Sequence, residues 1–469
     1  MVFSSIVFLL FFLPAALALN FVLPPRARNA ALLFSSLVFY FWGEGFTVLL
    51  LLFSAFSVYF CGLLLHQNRT TNPARARLIL FFAVCVNLSF LGYYKYANFF
   101  VLDVLHAGNT GWEHVALPVG ISFFTFQAIS YIIDVYRGDI RPARSFTTLA
   151  CYIASFPQLV AGPIVRYRDI ETDLHDRKTS VKDFSQGANR FFLGLGKKVL
   201  IANPLAQCAD TLFALPSGQI GPGEAWLGTL AYSLQIYYDF SGYSDMAIGL
   251  GRMLGFHFPE NFNYPYIANS IQDFWRRWHI SLSTWFRDYL YIPLGGNRVS
   301  PLRTYANLAT VFLLCGFWHG AAWTFVAWGA YHGLFLVLER LFLGKVLHRL
   351  PGLVRHAYAL LVVLGGWVIF RAETLPQALE FLRAGAMLGG IATNPHQIER
   401  VLTNDVLLAL GMGLFFSWPV YPRLKNALAA SNAAGWLRPA HQGMLLGVYM
   451  ICLFRLSAST YNPFLYFRF

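Results

Sequence analysis

Apolar residues dominate this chain in long blocks separated by short basic or turn-forming segments. That pattern predicts helices that are buried or cross a membrane. A crossing helix needs about 20 mostly apolar residues. The blocks that approach this length are 2–20, 29–42, 45–65, 77–95, 116–135, 146–165, 186–214, 224–253, 303–318, 320–343, 356–371, 403–420 and 441–457. Several are too short or polar to span alone, so the expectation is an all-α, polytopic bundle of about eleven spans with re-entrant or interfacial helices. Residues 1–20 carry an Ala16-Leu17-Ala18 cleavage-like site but no basic n-region, and the first positive charges, Arg26 and Arg28, follow them. This stretch is therefore expected to stay as a first span with the N-terminus outside.

The middle third departs from the apolar pattern. YYDFSGYSDMAIGLG (237–251) places Asp239, Ser241, Ser244 and Asp245 in a helix-like run. Carboxylates at membrane depth are costly and face a protein interior or a wet cavity, most simply paired with nearby arginines. Gly242, Gly249 and Gly251 permit close helix packing or an unwound turn. In DFWRRWHISLSTWFRDYL (273–290), helical periodicity gathers Phe274, Trp275, Trp278, Leu282, Trp285, Phe286 and Tyr289 on one arc. Arg276, Arg277, Ser281, Arg287 and Asp288 fall opposite, and His279 lies at the edge of the aromatic arc. One amphipathic helix at an interface or lining a polar cavity is expected.

Composition sharpens this. Only 12% of residues are charged, against 57% hydrophobic, whereas soluble domains carry about 25% charged residues. The net charge of +13 reads as basic cytoplasmic loops facing anionic headgroups, not as a nucleic-acid surface. The longest wet segments, residues 136–146 and 166–190, carry Arg137, Arg141, Arg144, Arg166, Arg168, Arg177, Lys178, Lys182 and Arg190. Beyond setting topology, they offer a dock for an anionic cytosolic donor. The six cysteines are scattered without CxxC spacing, so neither a disulfide framework nor a zinc site is indicated. No GxSxG elbow, Walker A loop or HExxH motif occurs. No metal site is expected.

His319 sits in LATVFLLCGFWHGAAWTFVAWGAYHG between two apolar stretches, and His332 follows 13 residues later. A buried imidazole stays neutral and available as a base. The final NPFLYFRF is aromatic where a free tail would be polar, so it is expected to dock, either as a surface anchor or to deliver Tyr466 into a cavity.

Taken together, ASFPQLVAGPIVRY (154–167), 237–251, 260–298, GFWHG (316–320), GWVIFRAE (366–373) and FLYFRF (464–469) resemble the membrane-bound O-acyltransferase family, in its bacterial exopolysaccharide O-acetylation branch. The resemblance covers most of the chain in the family's order. It implies one membrane domain over 1–469: N-terminal spans in 1–115, a catalytic core in 116–333, C-terminal spans in 334–457 and the tail in 458–469. It further implies a helical bundle around a transmembrane funnel, with the catalytic histidine at His319 and a second catalytic position at His279. Tyr466 matches a proposed acyl relay, and the expected lining is Asp239, Ser241, Tyr243, Asp245, Trp275, Arg276, Arg277, Trp278 and Trp318. The implied co-substrate is acetyl-CoA or an acyl carrier, with no bound cofactor. The implied partners are membrane lipid, a periplasmic SGNH-type acetyltransferase and a polysaccharide synthase complex, in the bacterial inner membrane. In the mechanism this suggests, His319 removes the acceptor proton and His279 or backbone N–H groups stabilise the oxyanion. A transporter or flippase for lipid-linked sugars predicts an inverted repeat, which the sequence lacks. A purely structural subunit would leave both histidines without a role.

Overall fold

The computed structural model describes residues 2–107, 115–429, 434–458 and 461–463, and every regular element among them is helical. Among the described residues, four stretches are long and apolar enough to cross a bilayer: Pro25–Asn68, Pro73–Val104, Trp323–His348 and Gly352–Arg371. The block 146–165 does not form one span. It folds as Phe146–Ala154 and Phe156–Leu159, of 9 and 4 residues, with Ser155 between them outside helical geometry (ψ 113°). Pro157 opens the second piece, and the apolar side chains of both pack inside the protein instead of facing lipid.

The chain packs as two compact units, Met1–Phe191 with Tyr243–Glu260 and Phe192–Gly242 with Asn261–Phe469. The stretch 116–333 contributes to both. In the first unit, helix Ile121–Arg137 is buried along nearly its whole length. Left-handed glycines bound it, Gly120 (φ 80°) and Gly138 (φ 82°), and the Gly138 N–H closes the last turn on Asp134 O at 3.0 Å. Buried Asn87 is satisfied locally, accepting from Ser54 Oγ at 2.5 Å and donating to Ala83 O at 2.9 Å. The end of helix Pro222–Met253 meets helix Val181–Gly196 at Gly249, where an added Cβ would lie 2.6 Å from Gly187 O. The close packing expected of that glycine is realised without unwinding the helix.

The second unit is built around a hairpin of helices Pro301–His319 and Trp323–Leu338. The two backbones touch at glycines. A Cβ on Gly316 would lie 2.3 Å from Phe325 O, and one on Gly329 2.4 Å from Phe312 O. The first helix ends at His319 because Gly320 is extended (φ −163°), and a side chain there would strike the Phe325 ring.

Candidate active site

The aromatic periodicity of 273–290 predicts one helix, but the structure breaks it. Helices Ile271–Arg277 and Ile280–Phe286 flank Trp278 and His279, and the chain then widens into a π-turn over Arg287–Tyr291. Competing backbone bonds cause the break. The Asn263 N–H donates to Arg277 O and the Ile280 N–H to Asn261 O, each at 2.9 Å. His279 itself is left-handed (φ 44°, ψ 55°), a conformation that costs a non-glycine residue about 1–3 kcal/mol and clusters at functional sites. It is not at the edge of an aromatic stripe but 1% exposed, and Ser281, expected on the polar face, is also buried.

Asn261 fixes the state of this histidine. Its Oδ1 accepts from the Ser281 N–H at 3.3 Å and Ser281 Oγ at 2.9 Å, and contacts His279 Nδ1 at 3.0 Å. A backbone N–H can only donate, so the atom facing Ser281 is the amide oxygen. Nδ1 of neutral His279 therefore carries the proton, and Nε2 presents a lone pair. Nε2 is buried and has no partner among the described residues.

His319, 6% exposed, ends its helix inside an aromatic wall formed by Trp318, Trp328 and Phe370, with ring centroids at 5.0, 5.2 and 5.3 Å. Trp318 also lies 6.3 Å from the His279 ring, so it stands beside both imidazoles. Phe240 packs edge-on to His279 at 4.6 Å. Trp275 contacts Trp328 at 5.5 Å and His332 at 5.1 Å, and Trp278 contacts Trp367 at 4.7 Å. The indole N–H groups of Trp275 and Trp328, and both nitrogens of His332, are buried without partners among the described residues. Trp328 is absent from the sequence expectation. Its spacing from His319 reads equally as core packing, and only its open N–H separates the two.

The remaining expected residues divide. Asp239 is 2% exposed and pairs with Lys198, 3% exposed, at 2.5 Å. Ser241 is buried with its hydroxyl unpartnered among the described residues. Asp239 thus pairs with a lysine, not the arginine expected. Arg277 pairs with Asp273 at 2.9 Å, and Arg276 is exposed. Tyr243 and Asp245 belong to the first unit. Tyr243 stacks on Phe3 at 4.5 Å, and Asp245 accepts from Arg190 at 2.8 Å, with Glu260 on the same guanidinium.

Tyr466 lies outside the described residues, but the tail leading to it is held. Tyr461 OH donates to Asp210 at 2.9 Å, which also pairs with Arg371 at 2.8 Å. Asn203 donates to Asn462 at 3.3 Å, and Lys198 donates to the Pro463 carbonyl.

Residues 141–349 match the membrane-bound O-acyltransferase (MBOAT) family. The chain is 44% identical to the probable alginate O-acetylase of Azotobacter vinelandii and 44% identical to that of Pseudomonas putida, with all of both chains covered in each case. It is 35% identical to the peptidoglycan O-acetyltransferase of Helicobacter pylori, covering 100% of this chain and 98% of that one.

Proposed function

The chain belongs to the membrane-bound O-acyltransferase family, and from that premise we propose that it moves acetyl groups from a cytoplasmic thioester across the bacterial inner membrane to O-acetylate an exopolysaccharide of the alginate or cellulose type. It is an integral membrane acyltransferase. The observation that carries the finer reading is the pair of buried imidazoles, His279 and His319, flanking Trp318 behind an aromatic wall.

An acyl thioester donor is large and anionic and cannot cross lipid, whereas the acetyl group is small and neutral. A narrow path among about eleven helices with a neutral base at its waist passes the acetyl group alone. The acceptor oxygen attacks the thioester carbonyl as His319 takes its proton. The C–S bond then breaks, and the thiolate recovers that proton from the imidazolium. The oxyanion needs donors, and neutral His279 offers a lone pair instead. The open indole N–H groups of Trp275 and Trp328 suit that task better, leaving His279 to accept a hydrogen bond or serve as a second base. Dense aromatic packing keeps water from hydrolysing the donor. Tyr466 serves as acceptor in a first transfer and passes the acetyl group on, ultimately through a periplasmic SGNH-type acetyltransferase beside the polymer synthase. Acetyl-CoA or an acyl carrier supplies the acyl group.

His319→Ala is expected to lower polymer acetylation by about 10²–10⁴-fold at unchanged membrane abundance. Normal acetylation in that variant removes His319 from the mechanism.

A further inference from the structure

Arg177 lies between helices Tyr167–His175 and Val181–Gly196 and is only 9% exposed. Its Nη2 donates to Asn29 Oδ1 at 3.1 Å, and the guanidinium lies over the Phe256 ring at 4.7 Å. Asn29 is held in turn by donating to Leu174 O at 2.8 Å. Nε and Nη1 of Arg177 are buried with no acceptor among the described residues. Arg28, next to Asn29, has a buried Nε in the same condition, and its charge acts on Arg177. Burial, reinforced by that neighbouring charge, draws the Arg177 guanidinium below its ordinary range.

The nearby carboxylates are already engaged. Asp173 accepts from the His257 N–H at 2.9 Å and contacts its Nδ1 at 3.2 Å. Asp176 pairs with Lys178 at 2.7 Å, and Asp183 accepts from Ser180 Oγ at 2.5 Å. Asp173 acts on Arg177 only at a distance, and no carboxylate among the described residues bonds to either guanidinium, which leaves three buried nitrogens open, a costly arrangement for a cation.

We propose that Arg28, Asn29 and Arg177 form a binding site for a phosphate group. A phosphate matches two cations in charge and accepts several N–H donors at once, which a single carboxylate does less well. Two sources share that chemistry. Arg28 begins a helix within the apolar stretch Pro25–Asn68, a position suited to an anionic lipid headgroup. The site also suits the phosphate of a soluble cytoplasmic molecule. The proposal does not depend on the acetyl-transfer reading.

The test uses the full chain, purified in detergent and stripped of lipid. Its thermal midpoint is followed with inorganic phosphate and adenosine 3′,5′-bisphosphate, and phosphatidylglycerol binding is followed by native mass spectrometry. At least one probe is expected to bind, about tenfold or more weaker in Arg177→Gln and in Arg28→Gln. Arg177→Lys, which keeps the charge but not the fork, should be intermediate and serves if Arg177→Gln does not fold. Response to the soluble phosphates alone assigns a soluble ligand, and response to the lipid alone assigns a headgroup. No binding by the unsubstituted chain, or unchanged binding in the variants, overturns the proposal.

Discussion

Around His279 and His319 the neighbours are Phe240, Trp318, Trp328 and Phe370, and the polar atom that anchors His279 is a neutral amide. In the first unit, by contrast, charges meet counter-charges: Arg166 with Asp169, Arg168 with Asp134, and Arg190 with both Asp245 and Glu260. The difference separates two uses of polarity in one membrane protein. Where charge sets topology or ties helices together, it is closed off by a partner. Where proton transfer is proposed, the polar atoms are neutral, buried and partly open. Arg177 and Arg28 depart from this among the described residues of the first unit, and that departure is the ground for the proposed phosphate site.

The contrast breaks most severely if the histidine region tolerates change, so the largest expected effect after His319→Ala is at Asn261. Asn261→Leu removes the acceptor that holds the proton on His279 Nδ1. It should cost about 10²-fold in turnover, with a smaller change in thermal midpoint. Activity equal to the unsubstituted chain would mean that the tautomer does not matter. Next in size is the dry pair. Lys198→Met leaves Asp239 buried without its counter-charge and should cost about 3–5 kcal/mol in stability. Lys198→Met with Asp239→Leu should recover most of that loss in an unfolding titration. The smallest effect belongs to the wetter network: Asp245→Asn should cost roughly 1 kcal/mol or less, because Arg190 keeps Glu260 and the group is partly exposed. A larger loss there would erase the distinction between the two regions.

Part of the candidate site is visible in the sequence because polar residues are rare in apolar blocks. His319 and Asp239 stand out for that reason alone, and both are buried. The break at His279 was not legible. The aromatic arc continues through it, and the bonds that interrupt the helix come from Asn261 and Asn263, which lie upstream in an irregular segment. The role of Asn261 was hidden in the same way, being a contact between positions 18 residues apart. Lys198 as the partner of Asp239 was hidden because a basic residue in a long apolar block reads as a topology signal until packing brings the two together. Helix lengths were overread at 146–165, where an apolar run marks burial in protein instead of passage through lipid.

The glycine contact in the hairpin bears on how the site responds to its bilayer. Sliding helix Pro301–His319 along helix Trp323–Leu338 by one residue would bring side-chain atoms to places where Gly316 and Gly329 leave room only for hydrogen. A change in membrane thickness is therefore expected to tilt the pair as one body before it slides one helix along the other. The depth of His319 relative to its own scaffold then stays constant while lipid composition changes, so the hairpin acts as a fixed gauge inside a solvent of variable width.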